Sequence, residues 1–406
     1  MKRIAILYII ITVTFFISCE REESYNTLLK LYGDAYEDIA VSITAAESDF
    51  IISGLRTVIS RRDGNYIESS VRNMGIIRAG GDGFQKWEIT PGGERSDMAN
   101  KSIVLASGDI ITVGYATRGT ASSTHTDIYV VKTSSEGTVI WESFIGGNGN
   151  QTACDIILKP AGGYMISGVT DAYRAESGSF PENISGMKDF FLLEIDESGD
   201  SLTSYAYGYG GNDICKAVKR DIGGGYIMYG TTDNSSEPGL DKNNMLLIRL
   251  NEDGSNRGAA IFGSQNDEYA ADIEIMPNGY LIAYNVGKDT EYNQIGLIRL
   301  SADIQEPPVI KREFDISGLS SKVNALCPGV GGTYYLGGRA GTESSSEMLI
   351  VKVDSDAELM EAPFISGGTG AQEIFDLIRS STGFIVAVGK TGYENNTMMC
   401  LLKFKY

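Results

Sequence analysis

The chain has 406 residues, of which 42% are hydrophobic and 21% charged, so it can bury a substantial core and lacks the composition of a disordered protein. Its 49 Gly and 22 Tyr against 9 Pro are typical of a globular protein rich in strands and tight turns. The formal net charge of -19 repels phosphate backbones, which argues against nucleic acid as a partner.

The N-terminus has the pattern of an exported lipoprotein. Lys2 and Arg3 precede an apolar run, residues 4–17, that as a helix would span only about 21 Å, short of a hydrocarbon core of about 30 Å. Residues 1–18 are therefore predicted to be a cleaved signal peptide. The sequence Phe-Ile-Ser-Cys that ends at Cys19 resembles a bacterial lipobox, which implies lipidation of Cys19. The alternative is an ordinary signal peptide followed by an incidental cysteine.

Residues 19–24 are interpreted as the lipidated cysteine and an acidic linker. The cluster Glu-Arg-Glu-Glu after the cysteine resembles the export signal of surface lipoproteins in Bacteroidetes. That resemblance implies an outer-membrane lipoprotein exposed at the cell surface. The alternatives are a solvated linker without an export role and an anchor that faces the periplasm.

Residues 25–406 are predicted to form one domain built from a repeated unit. Short apolar strands that end in Gly or a substitute recur seven times, at intervals of 52 to 62 residues, which is room for about four short strands each. These strands are Ile51 to Gly54, Ile111 to Gly114, Met165 to Gly168, Ile227 to Gly230, Leu281 to Asn285, Tyr334 to Gly337 and Ile385 to Gly389.

A preceding strand in each unit begins with an acidic or polar residue, followed by a small residue and then an aliphatic one. A small residue suits the innermost strand of a blade, where neighbouring units crowd around an axis. Examples are Asp38, Ala40 and Ile43; Thr152, Cys154 and Ile157; Asp213, Cys215 and Val218; and Glu268, Ala270 and Ile273. A third strand, such as Phe190 to Leu193, is continuously apolar and indicates burial on both faces.

Four antiparallel strands in each of seven units predict an all-β fold, a seven-bladed β-propeller. A hairpin turn introduces each fourth strand, for example Val139 to Ile145. The seventh unit stops at Tyr406 after its third strand, whereas Tyr25 to Gly33 reads as an additional fourth strand before the first unit. We predict that this N-terminal strand joins the C-terminal blade and closes the ring, which removes the last open edge.

The repeat resembles the propeller-repeat lipoproteins common in Bacteroidetes, in which G-G-x-x-x-D-x-A is followed by D-G-G-Y-x-x-x-G. Gly210 to Cys215 and Gly223 to Gly230 carry this resemblance, which implies a fold and no particular activity. Gly83 with Trp87, and Gly137 with Trp141, are similar to quinoprotein-like repeats. Five blades lack the Trp, and no cofactor is predicted.

Long connections between second and third strands indicate a candidate binding face. The separation from the end of the second strand to a charged residue of the third is 14 or 15 residues in blades five to seven and 18 to 26 in blades one to four. Long loops on a rigid scaffold commonly bind ligands, although exposed loops also lengthen by neutral drift. Basic and aromatic residues in these loops suit an anionic glycan or a carboxylate-bearing partner. They are Arg56, Arg61, Arg62, Tyr66, Arg118, His125, Tyr173, Arg174 and Phe180.

Several kinds of chemistry are disfavoured by the residues present. His125 is the only histidine, which excludes a multi-histidine metal centre and makes a Ser-His-Asp relay improbable. Cys154 and Cys215 are placed at matching inner-strand positions, either as buried thiols or as a disulfide. Asp155, Asp272 and Asp376 lie near the predicted axis and either line a channel as catalytic carboxylates or, as is commoner for such residues, bond to neighbouring backbone or face solvent.

These features favour a monomeric cell-envelope lipoprotein that binds a glycan or partner protein through the long-loop face, without a cofactor. Two alternatives stay open: a propeller-type polysaccharide hydrolase or lyase that uses carboxylates near the channel, and a periplasmic assembly scaffold.

Overall fold

The computed structural model describes residues 27–33, 36–62, 66–120, 123–147, 149–171, 188–233, 242–288, 291–316, 318–368, 370–393 and 396–405. Seven four-stranded antiparallel sheets make up a seven-bladed β-propeller, which confirms the predicted fold class. Within the described residues there is no helix long and apolar enough to cross a membrane.

The strands follow the chain blade by blade. The first strand is β1 (Leu28–Tyr32). Blade one contains β2 (Ile39–Ala46), β3 (Asp49–Arg62), β4 (Tyr66–Ala79) and β5 (Gln85–Ile89). Blade two contains β6 (Asp97–Val104), β7 (Ile110–Thr120), β8 (Ser123–Thr133) and β9 (Val139–Ile145). Blade three contains β10 (Gln151–Leu158), β11 (Tyr164–Thr170), β12 (Asp189–Ile195) and β13 (Ser201–Tyr207).

The remaining blades keep this order. Blade four contains β14 (Asp213–Arg220), β15 (Tyr226–Thr232), β16 (Asn244–Leu250) and β17 (Asn256–Phe262). Blade five contains β18 (Asp267–Met276), β19 (Gly279–Lys288), β20 (Glu291–Ser301) and β21 (Ile310–Phe314). Blade six contains β22 (Ser321–Pro328), β23 (Tyr334–Gly341), β24 (Ser346–Val353) and β25 (Phe364–Ser366). Blade seven contains β26 (Glu373–Arg379), β27 (Ile385–Tyr393) and β28 (Asn396–Phe404).

The N-terminal strand β1 closes the ring, as predicted. It pairs antiparallel with β28, from Leu28 opposite Lys403 to Tyr32 opposite Met399, and so becomes the outer strand of blade seven. Tyr32 is buried in the apolar layer between blades seven and one, and its hydroxyl donates to the Gly83 carbonyl at 2.7 Å. The chain ends are therefore joined through backbone hydrogen bonds and a shared core.

Every inner strand contains a β-bulge at the same position. The pairing with the second strand shifts register there, and one extra residue is left without a partner in the ladder. These seven residues, called the bulge ring below, are Val41, Asn100, Cys154, Lys216, Ala271, Asn324 and Phe375.

The bulges correct the predicted register in three blades. Gln151, Ala153 and Ile156 occupy the inner-strand positions that were assigned to Thr152, Cys154 and Ile157, and all three are buried. Cys154 is therefore a bulge residue, whereas Cys215 lies in the regular ladder, so the two cysteines do not match in register. The second-strand end points of blades five and six likewise shift, to Tyr284 and Gly338. In blade three the repeat was aligned one residue too late, because Thr152, Cys154 and Ile157 have the same spacing as the residues that the structure places in the ladder.

A glycine in the second strand accommodates the close approach of the bulged strand. A Cβ atom built on Gly230 would lie 2.1 Å from the Ile214 carbonyl oxygen and 2.4 Å from Phe190 Cζ. Equivalent contacts to the carbonyl two residues before the bulge occur at Gly54, Gly114, Gly168, Gly338 and Gly389. The recurring glycine is thus required by backbone packing rather than by an unusual backbone angle.

Substitution Gly230→Ala is expected to lower the free energy of unfolding by about 2–4 kcal/mol, because the added methyl group forces β14 and β15 apart. Urea unfolding followed by tryptophan fluorescence measures the change. The control is Gly93→Ala, since a Cβ at Gly93 meets nothing within 4 Å. Equal midpoints for the two variants would contradict this account of the repeat.

The two tryptophans connect neighbouring blades. Trp87 of blade one donates its indole N–H to the Ser135 carbonyl at 2.9 Å and covers Gly137 in a turn of blade two. Trp141 of blade two likewise donates its indole N–H to the Glu197 carbonyl of blade three at 3.2 Å and covers Gly199. Each tryptophan therefore packs against a turn glycine of the next blade, Trp87 against Gly137 and Trp141 against Gly199.

Candidate functional site: the mouth of the central channel

A cavity of about 740 Å³ occupies the central channel. Its lining includes the whole bulge ring, together with the starts of inner strands, the ends of second strands and the starts of third strands. In this topology those ends meet on the face that carries the connections between blades and between second and third strands, called the upper face here. The opening on that face, the channel mouth, is lined by Asn150, Lys188, Asn212 and Asn243.

Two extended β-hairpins belong to the same face. β3 and β4 remain paired from Phe50 opposite Ala79 to Arg62 opposite Tyr66, so the hairpin continues for about 26 Å beyond Gly54 at about 3.3 Å per residue. β7 and β8 remain paired out to Thr120 opposite Ser123. The predicted long loops of blades one and two are therefore hairpins that continue the ladder of the second and third strands.

Three aspartates near the axis each link two neighbouring blades: three with four, five with six, and seven with one. Each follows a bulge residue directly, and each carboxylate accepts one backbone N–H from its own strand and one from the next blade. The bonds across the blade junctions are Val218 N to Asp155 at 3.1 Å, Leu326 N to Asp272 at 2.9 Å and Ile43 N to Asp376 at 3.0 Å. Of the two interpretations drawn from the sequence, the structure agrees with bonding to neighbouring backbone.

Lysines and carboxylates lie close together in the channel around these three aspartates. The Lys101 ammonium is 2.8 Å from Asp376, and Lys219 faces the carboxylates of Asp272 and Asp155. Burial lowers the pKa of Lys219, but these carboxylates outweigh it and raise the pKa overall. Burial raises the pKa of Glu274, which Lys219 partly offsets, to about 7.

Glu274 makes stability depend on pH. The pKa of Glu274 is about 7 in the folded protein and 4.5 ordinarily, so the folded protein binds this proton more tightly than the unfolded chain does. The stabilisation from this protonation is complete below about pH 4.5 and is lost as the pH rises through 7. Glu274→Gln is therefore expected to be more stable than wild type at pH 8, by about 1–3 kcal/mol, with a smaller difference at pH 5. Urea unfolding at both pH values measures this, with Glu197→Gln at an exposed turn as control. An equal effect of Glu274→Gln at both pH values would contradict it.

Lys216 is the bulge residue with the clearest capacity to bind. Its side chain is exposed to the solvent of the channel and makes no hydrogen bond or ion pair with any described residue. The channel walls crowd the exposed Lys216 side chain and partly desolvate its ammonium group, which lowers the pKa of Lys216, and the positive charge of Lys322 acts in the same direction. Cys154, the bulge residue of blade three, is its neighbour, and burial raises the pKa of that thiol to about 11.

A second positive group lies where blades six and seven meet. Glu373 is buried and is contacted by Lys322 at 3.1 Å, by Arg339 at 3.7 Å and by Lys390 at 3.8 Å. Asn324 of the bulge ring donates to the same carboxylate at 2.8 Å. Burial opposes ionisation of Glu373, but the surrounding cations lower its pKa overall. Three cations thus surround one carboxylate.

The four residues of the first loop that were predicted to bind a ligand do not lie together: one is at the base of the first hairpin and three are at its tip. The expectation that Arg56 lies in an exposed loop is wrong: it belongs to β3, is only 8% exposed, packs across Gly75 and forms ion pairs with Asp38 and Glu88. It stabilises the base of the first hairpin. The backbones of Arg61, Arg62 and Tyr66 lie at the tip of this hairpin, and their side chains are outside the described part of the chain.

Arg118 and His125 are brought together on the second hairpin, where they are directly opposite in the ladder. The Arg118 guanidinium lies 4.3 Å from the centroid of the Phe144 ring and 3.9 Å from Asp127, and its side chain is about half exposed. His125 Nε2 is 3.5 Å from the same carboxylate. Tyr173, Arg174, Phe180 and the lipidation candidate Cys19 lie outside the described residues.

The bulge ring was missed by sequence reasoning, although a signal for it exists. Two buried residues of the inner strand are three positions apart, as with Ala40 and Ile43 or Ala270 and Ile273. A regular strand places residues of one face two apart, so a spacing of three indicates one extra residue. The four described cysteines are free thiols, and Cys154 is partly exposed whereas the other three are buried.

Comparisons with known proteins agree with the fold. No protein-family model matches the chain, and no curated protein sequence is similar to it. A structure of a puromycin hydrolase variant complexed with PGG is similar over 88% of this chain, with a TM-score of 0.55 and 13% identity. The chain spans about half of that protein, 51% of its length.

Two further structures are similar over most of both chains. The WD40 domain of coronin from Toxoplasma gondii matches with a TM-score of 0.49 and 12% identity, over 94% of this chain and 86% of that one. Sqt1 from Chaetomium thermophilum, bound to the N-terminus of ribosomal protein L10, matches with a TM-score of 0.49 and 10% identity, over 92% and 98%. At this level of identity, the likeness to the hydrolase shows that the chain has the β-propeller fold.

Proposed function

We propose that this chain is a ligand-binding module of the bacterial cell envelope and that it takes its ligand at the channel mouth. The observation that carries this proposal is the cavity of about 740 Å³, which amide, hydroxyl, ammonium and carboxylate groups line together with apolar side chains. Its volume lies within the range of about 300–1,000 Å³ typical of small-molecule sites. Lys216 is exposed inside the cavity and has no ion pair with any residue that the structure describes, so it is the kind of polar group that orients a ligand.

The two extended hairpins would enlarge this site into a surface for a glycan chain or a partner protein. Arg61, Arg62 and Tyr66 at the first tip, Arg118 on the second hairpin, and Tyr173, Arg174 and Phe180 between β11 and β12 are the proposed contacts. Basic and aromatic side chains recognise carboxylates and sugar rings through ion pairs and stacking. Arg56 is left out of this set because Asp38 and Glu88 already pair with it.

Occupancy of the channel can be read at Cys154, the bulge residue next to Lys216. A panel of oligosaccharides is screened with the purified protein, and alkylation of Cys154 is measured by peptide mass spectrometry. We expect at least one compound to slow this alkylation. We also expect the protection to be lost in Ala271→Trp, which fills the cavity, and kept in the control Ala271→Ser. If compounds that stabilise the protein leave Cys154 equally reactive, the channel is not their site.

The proposed location rests on the signal peptide and lipobox resemblance of residues 1–19 and on the acidic cluster that follows. We propose a monomer held by its lipid at the outer face of the outer membrane. Proteinase treatment of intact cells should digest the protein, and Cys19→Ala should abolish labelling with radioactive palmitate. Protection from the proteinase until the outer membrane is opened would favour a periplasmic scaffold instead.

A polysaccharide hydrolase or lyase is a second candidate, and Glu274 is the observation that favours it. A carboxyl group with a pKa of about 7 suits a general acid. In that case incubation with polysaccharides would release reducing or unsaturated ends, and Glu274→Gln would abolish the release while leaving ligand protection of Cys154 unchanged. Absence of release from any polysaccharide that protects Cys154 would exclude this candidate.

A further inference from the structure

The proposed binding site has a charge and a set of polar groups that select one class of ligand. Resting on the proposed function, we infer that the channel mouth binds a small sugar acid, with its carboxylate paired to Lys216 and its hydroxyl groups bonded to amides of the channel wall.

The charge of the cavity lining differs in sign from that of the whole protein. Five lysines and four aspartates line the cavity, an excess of one positive charge, whereas the chain carries a net charge of -19. Asp155, Asp272 and Asp376 already accept backbone N–H groups, and Asp376 also pairs with Lys101. Lys322 pairs with Glu373, whereas Lys188 at the channel mouth and Lys216 in the bulge ring have no counter-ion among the described residues. We assign the ligand carboxylate to Lys216 because the other bulge residues surround it.

The surroundings of Lys216 make an anion favourable. The electrostatic neighbours of its ammonium are the thiols of Cys154 and Cys215 and the positive charge of Lys322. A cation in this environment loses part of its hydration without gaining a partner, and a bound carboxylate would supply one. The lowered pKa of Lys216 is consistent with that cost.

The wall between blades six and seven adds positive potential to the same cavity. Lys322 and Asn324 belong both to the lining and to the cluster on Glu373. In that cluster three cations, Lys322, Arg339 and Lys390, face two carboxylates, Glu373 and Glu343. The Arg339 side chain is buried, 3% exposed, and its Nε atom makes no hydrogen bond within the described residues. An anion near Lys216 therefore meets favourable potential from two sides.

The neutral groups of the cavity suit the rest of a sugar. Asn100 donates to the Ala153 carbonyl at 2.7 Å and Asn324 to the Ile374 carbonyl at 2.7 Å, which orients both amides and leaves their oxygens to accept from ligand hydroxyl groups. Phe375 of the bulge ring presents an aromatic surface of the kind that packs against a sugar ring.

The test compares matched probes on the purified full chain. The sugar acids D-galacturonate, D-glucuronate and N-acetylneuraminate are titrated against D-galactose, D-glucose and inorganic phosphate, with ligand-observed NMR for affinity and Cys154 alkylation for location. At least one sugar acid should bind and protect Cys154 more than either neutral sugar or phosphate. Lys216→Met should weaken its binding by about 10- to 100-fold, and Lys216→Arg should restore most of the affinity. The exposed control Lys405→Met should leave the affinity unchanged.

Three results would overturn the inference. If neutral sugars protect Cys154 as well as the acids do and Lys216→Met has no effect, the channel binds a ligand of another class and the proposed function stands. If phosphate alone binds and protects Cys154, the site selects a dianion and not a sugar acid. If neither these probes nor the oligosaccharide panel protects Cys154, the inference and the proposed function fail together.

Discussion

Deletion of residues 1–33 is expected to destabilise the propeller by at least about 3 kcal/mol and to make it associate. The deletion removes β1 and so leaves the outer edge of β28 unpaired from Met399 to Lys403, while the other edge remains paired with β27. It also removes Tyr32 from the core that contains Val386 and Leu401. Loss of one buried aromatic side chain costs about 3–5 kcal/mol, and an unpaired strand edge recruits other chains. Urea unfolding and size-exclusion chromatography measure the two effects.

The matched control is deletion of residues 1–24, which removes the predicted leader and linker but keeps β1. This variant should retain the unfolding midpoint of the full chain and remain a monomer. A synthetic peptide of residues 25–33, added to the longer deletion, should raise its midpoint by re-pairing with β28. Equal stability of the two deletion variants would show that the ring does not depend on β1.

Asp376→Ala is expected to lower the free energy of unfolding by about 2–4 kcal/mol. This carboxylate accepts from Leu377 N at 2.9 Å and from Ile43 N at 3.0 Å, and it pairs with Lys101, so it joins blade seven to blade one. Its loss leaves two buried N–H groups and an ammonium without their acceptor, and each unsatisfied group costs about 1–3 kcal/mol. Thermal and urea unfolding measure the change.

Asp200→Ala, at an exposed hairpin turn, is the control and should change stability by less than about 0.5 kcal/mol. Asp376→Asn should be intermediate, because its amide oxygen can still accept one of the two N–H groups. A loss of stability with Asp376→Ala no greater than that with Asp200→Ala would mean that the aspartates between blades do not stabilise the ring.

The repeat and the closure of the ring followed from local patterns. Continuous apolar runs such as Phe190 to Leu193 require burial on both faces, and the fourth strand predicted at Val139 to Ile145 is found as β9 with the same bounds. The fourth-strand pattern of Tyr25 to Gly33, which precedes the first unit, predicted the pairing of β1 with the C-terminal blade. These features depend on the periodicity of apolar side chains, which can be observed directly in the sequence.

Register was harder to predict. Cys154 was placed opposite its second strand as Cys215 is, but the bulge moves it into the channel and places Ala153 in the core. Arg56 follows a second-strand glycine and was assigned to a loop, whereas Gly75 and the carboxylates of Asp38 and Glu88 hold it inside an extended hairpin. In both cases the deciding contact comes from another strand, so local pattern carries no information about it.

By itself, the sequence determined that this protein has seven four-stranded units, that they close into a ring, and that its N-terminus resembles that of an exported lipoprotein. Only the tertiary structure decided that seven bulge residues meet around one cavity and that Lys216 lies there with no counter-ion among the residues described. The physical reason is distance along the chain: repeats about 55 residues apart each contribute one variable side chain to the channel. Their charges become a binding site only when the ring brings them together.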